Sequence, residues 1–383
     1  MFKWVSNFQN FMHASSEVSA FSALTRQERG VVFYAESHHS WPFFEPIIKE
    51  LLEKNIKISY LTSEIADPVL LDKRIRAFYV GDGGVRTAVF KALDAMVMVM
   101  TMPDLETYHI KRSPKTQNYI YVHHSMVSTH MIYTETAFDG FDTIFCVGPH
   151  HVEEIRKRES LYNLKKKELV EHGYGRLDSL LLKAQKKEFN HSTVKKILLA
   201  PSWGPNGILE LFGTKIVKAI LDANFELILR PHPMTKKKAP LVIESILKEF
   251  SNHPNFKMDS SVASEDSLYD SDVMISDWSG AALEFAFALE KPVVFLNTPR
   301  KINNKNYEKL ELEPLEVHIR NGLGKVVEIQ EIDSLGEVLS SISRDFNEIQ
   351  KSITTARDKY IFNVSSSGRK AADYIISKLD SKI

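Results

Sequence analysis

The sequence alternates short apolar runs with amphipathic segments, and this pattern limits the fold more than any other feature. Runs predicted to be strands lie at 31–35, 56–62, 77–81, 95–100, 118–124, 143–148, 197–202, 225–230, 256–259, 273–276 and 292–297. Segments with helical spacing, such as 42–54 and 279–290, lie between them. Apolar strands that alternate with helices form parallel sheets covered on both faces. We therefore predict an α/β fold with parallel sheets.

The series is interrupted once, by the polar stretch 180–196, and 383 residues are too many for one ordinary core. We predict two Rossmann-like domains, residues 29–182 and 195–345, joined by this linker. Residues 1–28 are predicted to form an N-terminal helical segment, and 346–383 to form helices that pack back on the domains. Ligands of such sheets bind beyond the carboxyl ends of the strands, so the cleft between the domains is the predicted active site.

Charge and cysteine content exclude several kinds of protein. Lys plus Arg and Asp plus Glu both number 49, whereas a nucleic-acid-binding surface is strongly basic. The single cysteine, Cys146, rules out an internal disulfide framework and a Cys-based zinc cluster, and it fits a reducing compartment. We expect a cytoplasmic protein that binds no nucleic acid.

The N-terminal segment lacks the pattern of a signal peptide, and no run of the chain approaches the roughly 20 apolar residues of a membrane helix. Helical spacing gives the segment one apolar face, formed by Phe2, Trp4, Val5, Phe8, Phe11 and Met12. This face either packs on the protein or contacts a membrane surface. The second alternative predicts peripheral attachment to the cytoplasmic face of the plasma membrane.

The stretch "VMISDWSGAALEFAFALEKPVVFLN" (273–297) places polar residues where a strand turns into a helix. The first N–H groups of a helix are unpaired and carry partial positive charge, which suits a phosphate. Ser276, Ser279 and Gly280 are the candidate phosphate-binding residues. Glu284, about one turn further, is a candidate for ribose. The alternative is that Ser276, Asp277 and Ser279 only cap the helix.

The stretch "LILRPHP" ends a strand with two prolines around one histidine. Pro231 and Pro233 push the residues before them into extended conformations, which fixes Arg230 and His232. A histidine held in this way is suited to act as an acid or as a cation for a phosphate. The alternative is a turn in which His232 is merely exposed.

The strand in "YIYVHHSMVSTH" (119–130) ends at His123 and His124. A histidine in the loop after a strand is a candidate general base for a hydroxyl. The alternative is a pair of histidines at the sheet edge without a chemical role. The stretch "SHHSWP" (37–42) follows the first strand in the same way, and it either holds an acceptor substrate or forms a tight loop.

Adjacent histidines occur at 38–39, 123–124 and 150–151, and histidines are common metal ligands. Neighbouring residues of a strand point to opposite faces, so each pair would supply one ligand at most. The helical spacing HExxH is absent from the sequence. We predict no metal site.

Five stretches in order resemble motifs of the CDP-glycerol glycerophosphotransferase family, which contains polymerases and primases of teichoic acids and related capsule polymers. They are "YVHHS", "GYGRLDSLL", "ILLAPSW", "LILRPHP" and "ISDWSGAALEFAFALEKPVVFL". The resemblance covers roughly residues 114 to 378. It implies a GT-B fold, with the acceptor on the first domain and the CDP-linked donor on the second.

The resemblance also implies the reaction. A polyol phosphate, most simply glycerol phosphate, passes from a CDP-alcohol to a hydroxyl of a polyol-phosphate, polysaccharide or glycolipid acceptor, and CMP is released without a cofactor. His123, with His124 as the alternative, would be the base, and His232 beside Arg230 would act at the phosphate. The implied donor-binding residues are Ser202, Ser276, Ser279, Gly280, and Asp277 or Glu284 for the ribose.

Three positions depart from the family pattern. His124 stands where the family has Gly, "MVSTH" replaces a segment with Lys, and Gly280 replaces a second Ser. These changes leave the alcohol and the acceptor open more than the reaction type. The alternatives are a GT-B glycosyltransferase that uses a nucleotide sugar, a nucleotide-sugar epimerase, and a non-catalytic nucleotide-binding subunit of envelope assembly.

Overall fold

A computed structural model describes residues 2–186, 194–259 and 265–380, with the side chains of residues 2–7 left outside the description. The first sheet contains β1 Val31–Ala35, β2 Ile58–Thr62, β3 Arg76–Tyr79, β4 Val97–Met100, β5 Asn118–Val122, β6 Thr143–Cys146 and β7 Glu168–Glu171. The second contains β8 Lys196–Leu199, β9 Glu226–Leu229, β10 Phe256–Met258, β11 Val273–Ser276, β12 Val293–Asn297 and β13 Gly324–Glu328.

The two sheets share one topology. The strand orders are β3-β2-β1-β4-β5-β6-β7 and β10-β9-β8-β11-β12-β13, and every described pairing is parallel. In each sheet the order reverses beside the first strand, where β1 pairs with β2 and β4, and β8 pairs with β9 and β11. Such switch points open a crevice at the carboxyl ends of the strands. The predicted α/β class with two Rossmann-like domains is confirmed.

Helices cover both faces of the sheets. The α-helices are α1 Phe2–Ser22, α2 Trp41–Glu53, α3 Gly84–Ala92, α4 Thr129–Ile132, α5 Pro149–Leu161, α6 Gly175–Ala184, α7 Ile208–Phe212, α8 Thr214–Asp222, α9 Pro233–Lys238, α10 Pro240–Phe250, α11 Asp266–Asp270, α12 Gly280–Leu289, α13 Leu315–His318, α14 Arg320–Leu323, α15 Leu335–Tyr360 and α16 Ser367–Asp380. Short 3₁₀ helices span His38–Ser40, Pro68–Leu71, Tyr307–Leu310 and Ile329–Ser334.

Each apolar run predicted to be a strand overlaps one, but two further strands, β7 and β13, were not predicted. β7 reads Glu-Leu-Val-Glu and none of its residues is fully buried, while β13 begins at Gly324. Both lie at the end of their sheet, where one side of the strand is unpaired and the apolar pattern weakens. The start of the predicted linker belongs to α6, and residues 187–193 lie outside the description. The domain boundaries themselves stay predictions.

The last helix crosses from the second sheet back to the first domain. α16 packs on α2, and its Ala371, Ala372 and Ile375 belong to the core that covers one face of the first sheet. Asp178 of α6 anchors the approach to this helix by accepting hydrogen bonds from Ser365 N (2.7 Å) and Ser367 N (2.9 Å). The Asp of the "GYGRLDSLL" stretch therefore joins distant parts of the chain.

The N-terminal helix α1 packs on β3 and α3, with the Phe21 ring 5.5 Å from that of Phe78. Phe8, Phe11 and Met12 remain 56%, 55% and 53% exposed, so these three side chains do not form the face that packs on the protein. The side chains of Phe2, Trp4 and Val5 lie outside the described residues. Within the described ranges, none of the helices combines the length and the apolar character needed to span a bilayer.

Candidate active site

Segments that follow β4, β5, β8, β9, β11 and β12 line one cavity of about 440 Å³ between the two sheets. Five of the ten residues selected from the sequence contribute to its wall: His124, Ser202, His232, Ser279 and Gly280. Two other cavities, of about 550 and 580 Å³, are larger but contain none of the ten. The cavity of about 440 Å³ is the candidate active site, because strand-end loops of both sheets line it together with half of the selected residues.

His124 enters this cavity from the first domain. Its Nδ1 lies 3.1 Å from the Thr101 carbonyl oxygen, which can only accept, so Nδ1 carries the proton and Nε2 keeps its lone pair. Solvent reaches the ring from the cleft, yet the surrounding protein desolvates it and lowers its pKa, against the opposing effect of the bond to Thr101. A neutral imidazole with an accessible Nε2 has the form required of a general base.

His123 does not reach the cavity. It continues the alternation of Tyr119 and Tyr121 into the core, is 1% exposed, and packs with its ring centroid 4.0 Å from that of His151. Neither of its ring nitrogens has a hydrogen-bond partner among the described residues. Burial, with a smaller effect of His151, lowers its pKa well below the usual value. Of the two histidines, only His124 is placed to touch a substrate.

His232 faces His124 from the second domain. It is the N-cap of α9, and its Nδ1 accepts a hydrogen bond from Met234 N at 3.0 Å. The proton of the neutral ring is therefore on Nε2. Burial, together with the charge of Lys301, lowers the pKa of His232 to about 4. At neutral pH the ring is therefore an uncharged N–H donor, whereas the sequence suggested either an acid or a cation.

Helix α12 begins at the same wall. Ser279 is its N-cap, with Oγ accepting from Ala281 N at 3.3 Å, and Gly280 is its first residue. The helix has ten residues, so its aligned peptide dipoles place partial positive charge at this end. Ala281 N and Ala282 N bond to Ser279, so the partial positive charge of this helix end, rather than a set of unpaired N–H groups, makes the site suited to an anion.

Ser276 and Asp277 support the cavity from behind. Both are buried, and Ser276 Oγ donates to the Ala200 carbonyl at 2.7 Å. The Asp277 carboxylate accepts from Ser202 N at 2.7 Å and from Ile208 N at 3.3 Å. These bonds tie the loops after β8 and β11 together. Phosphate binding by Ser276 and ribose binding by Asp277 stay predictions. Ser202, in contrast, lines the cavity.

Trp203 and Lys301 are among the wall residues that were not selected from the sequence. The Lys301 ammonium lies 4.8 Å from the centre of the Trp203 ring, and the Trp203 and His232 rings are 6.1 Å apart. Burial lowers the pKa of Lys301. Lys301 belongs to no recognisable motif, but it lies in the loop after β12, and the rule that directed attention to strand ends would have found it.

Glu284 lies outside the cavity and joins the domains. Its Oε1 accepts from the Tyr174 hydroxyl and its Oε2 from Arg176 Nε, both at 2.8 Å. Arg176 also contacts Glu265 at 3.3 Å. The charge of Glu284 and the other nearby groups outweigh burial and raise the pKa of Arg176. Ribose binding by Glu284 therefore competes with a network that already engages both of its oxygens, and it stays a prediction.

Arg230 is half-buried beside the cavity without lining it. Its guanidinium donates to Ser267 Oγ at 3.0 Å and lies 3.9 Å from the Asp259 carboxylate. It positions the loop that carries His232, and its direct contact with phosphate stays a prediction. Over the three described ranges of the chain, no group of three or more His, Cys, Asp or Glu side chains has an arrangement that could hold a metal ion.

Solved structures define the class of the fold. A Listeria monocytogenes protein assigned as a UDP-N-acetylglucosamine 2-epimerase aligns with a TM-score of 0.62 at 14% identity, over 92% of this chain and 97% of its own. Staphylococcus aureus MnaA with UDP aligns at 0.61 and 14%, over 91% and 96%. A Rickettsia africae glycosyltransferase aligns at 0.53 and 13%, over 92% and 99%. At these identities the likeness concerns the fold alone, which is GT-B.

The family follows from the sequence match. The model of the CDP-glycerol:poly(glycerophosphate) glycerophosphotransferase family matches residues 83–377, and the chain belongs to this family. A search of curated proteins gave no match. The resemblance recognised from the five stretches is confirmed, and the family makes the protein a transferase of the glycerophosphotransferase type.

Proposed function

We propose that the protein transfers glycerol phosphate from CDP-glycerol to a hydroxyl of a cell-envelope polymer or glycolipid and releases CMP. One observation carries the proposal: His124 of the first domain and His232 of the second line the same cavity, next to the N-terminus of α12. Family membership supports the reaction type. The identity of the alcohol and of the acceptor belongs to the proposal.

His124 is the proposed base. The acceptor oxygen attacks the phosphorus that carries glycerol, and its proton passes to Nε2 of His124, the nitrogen not engaged by Thr101. A new P–O bond forms while the bond between that phosphorus and the CMP oxygen breaks. CMP leaves with the electron pair, so the step needs no other reactant.

The second domain stabilises the charge of the transferred group. We place its oxygens between His232 Nε2–H, the Lys301 ammonium and the positively polarised N-terminus of α12 at Gly280. Phosphoryl transfer depends mainly on positioning and on fixed charges directed at the phosphate oxygens. Pro231 and Pro233 restrict the His232 loop beforehand, which avoids reorganisation during the reaction.

The test is nucleotide release with polyol-phosphate and glycan acceptors: CMP from CDP-glycerol and CDP-ribitol, and UDP from UDP-glucose and UDP-N-acetylglucosamine. Release from CDP-glycerol, lost in His124→Ala and in His232→Ala, is the expected result. Turnover with nucleotide sugars alone would instead make the protein a glycosyltransferase or an epimerase. Donor binding that survives both substitutions, without turnover by the unchanged protein, would identify a non-catalytic subunit.

We also propose that the protein works at the cytoplasmic face of the membrane through α1. Phe8, Phe11 and Met12 follow the i, i+3, i+4 spacing of one helix face and are all more than half exposed. Substituting the three by Ser should reduce flotation with anionic vesicles. Leu241→Ser, at a 74% exposed position of α10, is the matched control. Equal flotation of both variants would contradict membrane contact through α1.

A further inference from the structure

A second cavity, of about 550 Å³, opens beside the candidate active site and is unused by the proposed mechanism. Its wall comes from the loop after β1, the start of α2, the segment between β2 and β3, and the start of α6, with Glu265 from the second domain. The volume lies within the roughly 300–1,000 Å³ typical of small-molecule sites. The "SHHSWP" stretch forms part of this wall.

The cavity adjoins the proposed base. Phe43 lines it, and the same ring lies 6.3 Å from the His124 ring and 5.8 Å from the Tyr174 ring, measured between centroids. Arg176, also in the wall, bonds to Glu284, which Tyr174 contacts in turn. The Phe43 ring therefore connects the wall of this cavity with the proposed base, His124.

The charges of the wall do not suit a phosphate chain. The Arg74 guanidinium is paired with Asp72, with its NH2 2.6 Å from Oδ2, and Arg176 is shared between Glu284 and Glu265. Two more carboxylates line the cavity, those of Glu45 and Asp67. Carboxylates thus outnumber the guanidinium groups, and both guanidinium groups already have partners. A like-charged chain of phosphodiesters would be repelled.

The remaining groups suit uncharged hydroxyls. Trp41 and Phe43 offer ring faces on which the C–H side of a sugar can pack. Within the described part of the chain, no cation forms an ion pair with Glu45, so its oxygens can accept charge-assisted hydrogen bonds from hydroxyls. Burial, with the neighbouring His38, lowers the pKa of His39, so this ring adds no charge at neutral pH.

We infer that this cavity is an acceptor subsite for uncharged sugar residues, so that the hydroxyl receiving glycerol phosphate belongs to a glycan. The inference rests on the proposed function. A glycan that has received glycerol phosphate carries a negative charge at its end. The carboxylates of the cavity wall repel this charge, so the product is a poor acceptor for a second transfer. The protein therefore adds one unit to a glycan rather than extending a polyol-phosphate chain.

Binding without donor tests the subsite separately from catalysis. Ligand-observed NMR would compare neutral tetrasaccharides of glucose, galactose and N-acetylglucosamine with an oligo(glycerol phosphate) of similar length. We expect at least one neutral tetrasaccharide to bind more tightly than the oligo(glycerol phosphate). Trp41→Ala should weaken that binding at least tenfold, and Trp41→Phe should retain most of it. Preference for the oligo(glycerol phosphate), or binding indifferent to Trp41→Ala, would overturn the inference.

Charge variants sharpen the test. Glu45→Gln should weaken sugar binding several-fold, whereas Glu53→Gln on the exposed side of the same helix should not. Glu45→Lys should move the preference toward the oligo(glycerol phosphate). CMP release from CDP-glycerol is then measured with each acceptor. Sugar binding without CMP release would contradict the proposed function and keep the subsite, while CMP release only with oligo(glycerol phosphate) would contradict the subsite and keep the function.

Discussion

Ser125 occupies the space that a side chain at Gly280 would need: a β-carbon at position 280 would lie 2.7 Å from Ser125 Oγ. Ser125 follows His124, the proposed base, and Gly280 begins the helix proposed to face the donor phosphate. The two domains therefore meet at Gly280, one of the three positions that depart from the motifs recognised in the sequence. The glycine at position 280 therefore has a steric reason, because Ser125 of the other domain fills the space next to it.

Gly280→Ala should displace the Ser125 hydroxyl and disturb the adjacent His124. Rotation of the Ser125 side chain relieves the contact, and the accompanying shift of His124 should lower kcat/KM roughly fivefold, equivalent to about 1 kcal/mol of transition-state stabilisation. Removing Oγ leaves Ser125 Cβ 3.8 Å from the new methyl group, an ordinary contact. Ser125→Ala combined with Gly280→Ala should therefore recover the activity of Ser125→Ala alone. Equal losses in the single and double variants would contradict the steric explanation.

Substitutions of His123 and His124 should have different effects on kcat. His124→Ala should lower kcat by about 10²–10⁴-fold, the usual contribution of a general base, with little change in Tm. His123→Leu should keep kcat because this ring is buried and does not reach the cavity. It also removes two ring nitrogens without partners among the described residues, so its Tm should be unchanged or higher. Loss of kcat in folded His123→Leu would return the role of base to His123.

Donor binding should raise the pKa of His232. In the free protein the ring should titrate near pH 4, because burial and Lys301 both disfavour its charged form. Phosphate oxygens within hydrogen-bond reach favour the imidazolium, so CDP-glycerol should move the midpoint upward while cytidine should not. NMR of the histidine ring nitrogens measures both values.

A lysine variant tests the cause of this shift. Lys301→Met should raise the pKa of His232 in the free protein, since a neighbouring positive charge is removed. Lys305→Met, at an exposed position of the same loop, should leave it unchanged. An unchanged midpoint in Lys301→Met would exclude charge coupling between the two side chains.

His130 and Glu154 should give a pH-dependent contribution to stability. They form an ion pair of 3.2 Å with side chains 1% and 3% exposed, and His130 Nε2 lies 3.1 Å from the Leu312 carbonyl of the second domain. Burial opposes both charges. The pair nevertheless raises the pKa of His130 above its usual 6.5 and lowers that of Glu154 from 4.5 to about 2.

The direction of each shift fixes the pH window. The charge of His130 contributes fully to the free energy of unfolding below pH 6.5, and this contribution is lost as the pH rises through the raised pKa of His130. The charge of Glu154 contributes fully to the free energy of unfolding above pH 4.5, and this contribution is lost as the pH falls toward 2. The difference in unfolding free energy between the unchanged protein and His130→Gln should therefore be largest between pH 4.5 and 6.5.

Urea unfolding at a series of pH values measures this difference. Other buried histidines with lowered pKa, such as His123, His150 and His172, weaken both proteins in acid, and their effect cancels in the comparison. His109→Gln, at an exposed position, should show no such window. A difference that does not vary with pH would mean that His130 is held without charge.

Much of the fold and part of the site could be predicted from the sequence. Apolar runs located the strands, and the rule that ligands bind at strand ends led to His124, His232 and Ser279. Choosing between His123 and His124 required knowing that β5 ends at Val122 and that His123 still points into the core. The sequence contains no signal for that choice, because both faces of β5 are buried.

Glu284 shows a second limit of prediction from the sequence, which is that contacts between distant residues are not visible in it. Its position about one turn into a helix suggested a ligand, but its partner Arg176 is 108 residues away along the chain. Ser276 and Asp277 were selected for the same local reason, and they bond to backbone groups of the loop after β8. Local patterns indicate that polar groups occur near the cleft, whereas tertiary contacts decide which of them remain accessible to substrate.

The return of α16 to the first domain has a consequence for synthesis on the ribosome. Ala371, Ala372 and Ile375 complete a core whose other members, such as Phe44 and Ile47, were made more than 300 residues earlier. Domains otherwise fold as their residues emerge, N-terminal first. Until the whole second domain has been translated, α2 covers this face of the first domain without α16, so a nascent chain arrested before residue 367 would expose part of that face to chaperones and proteases.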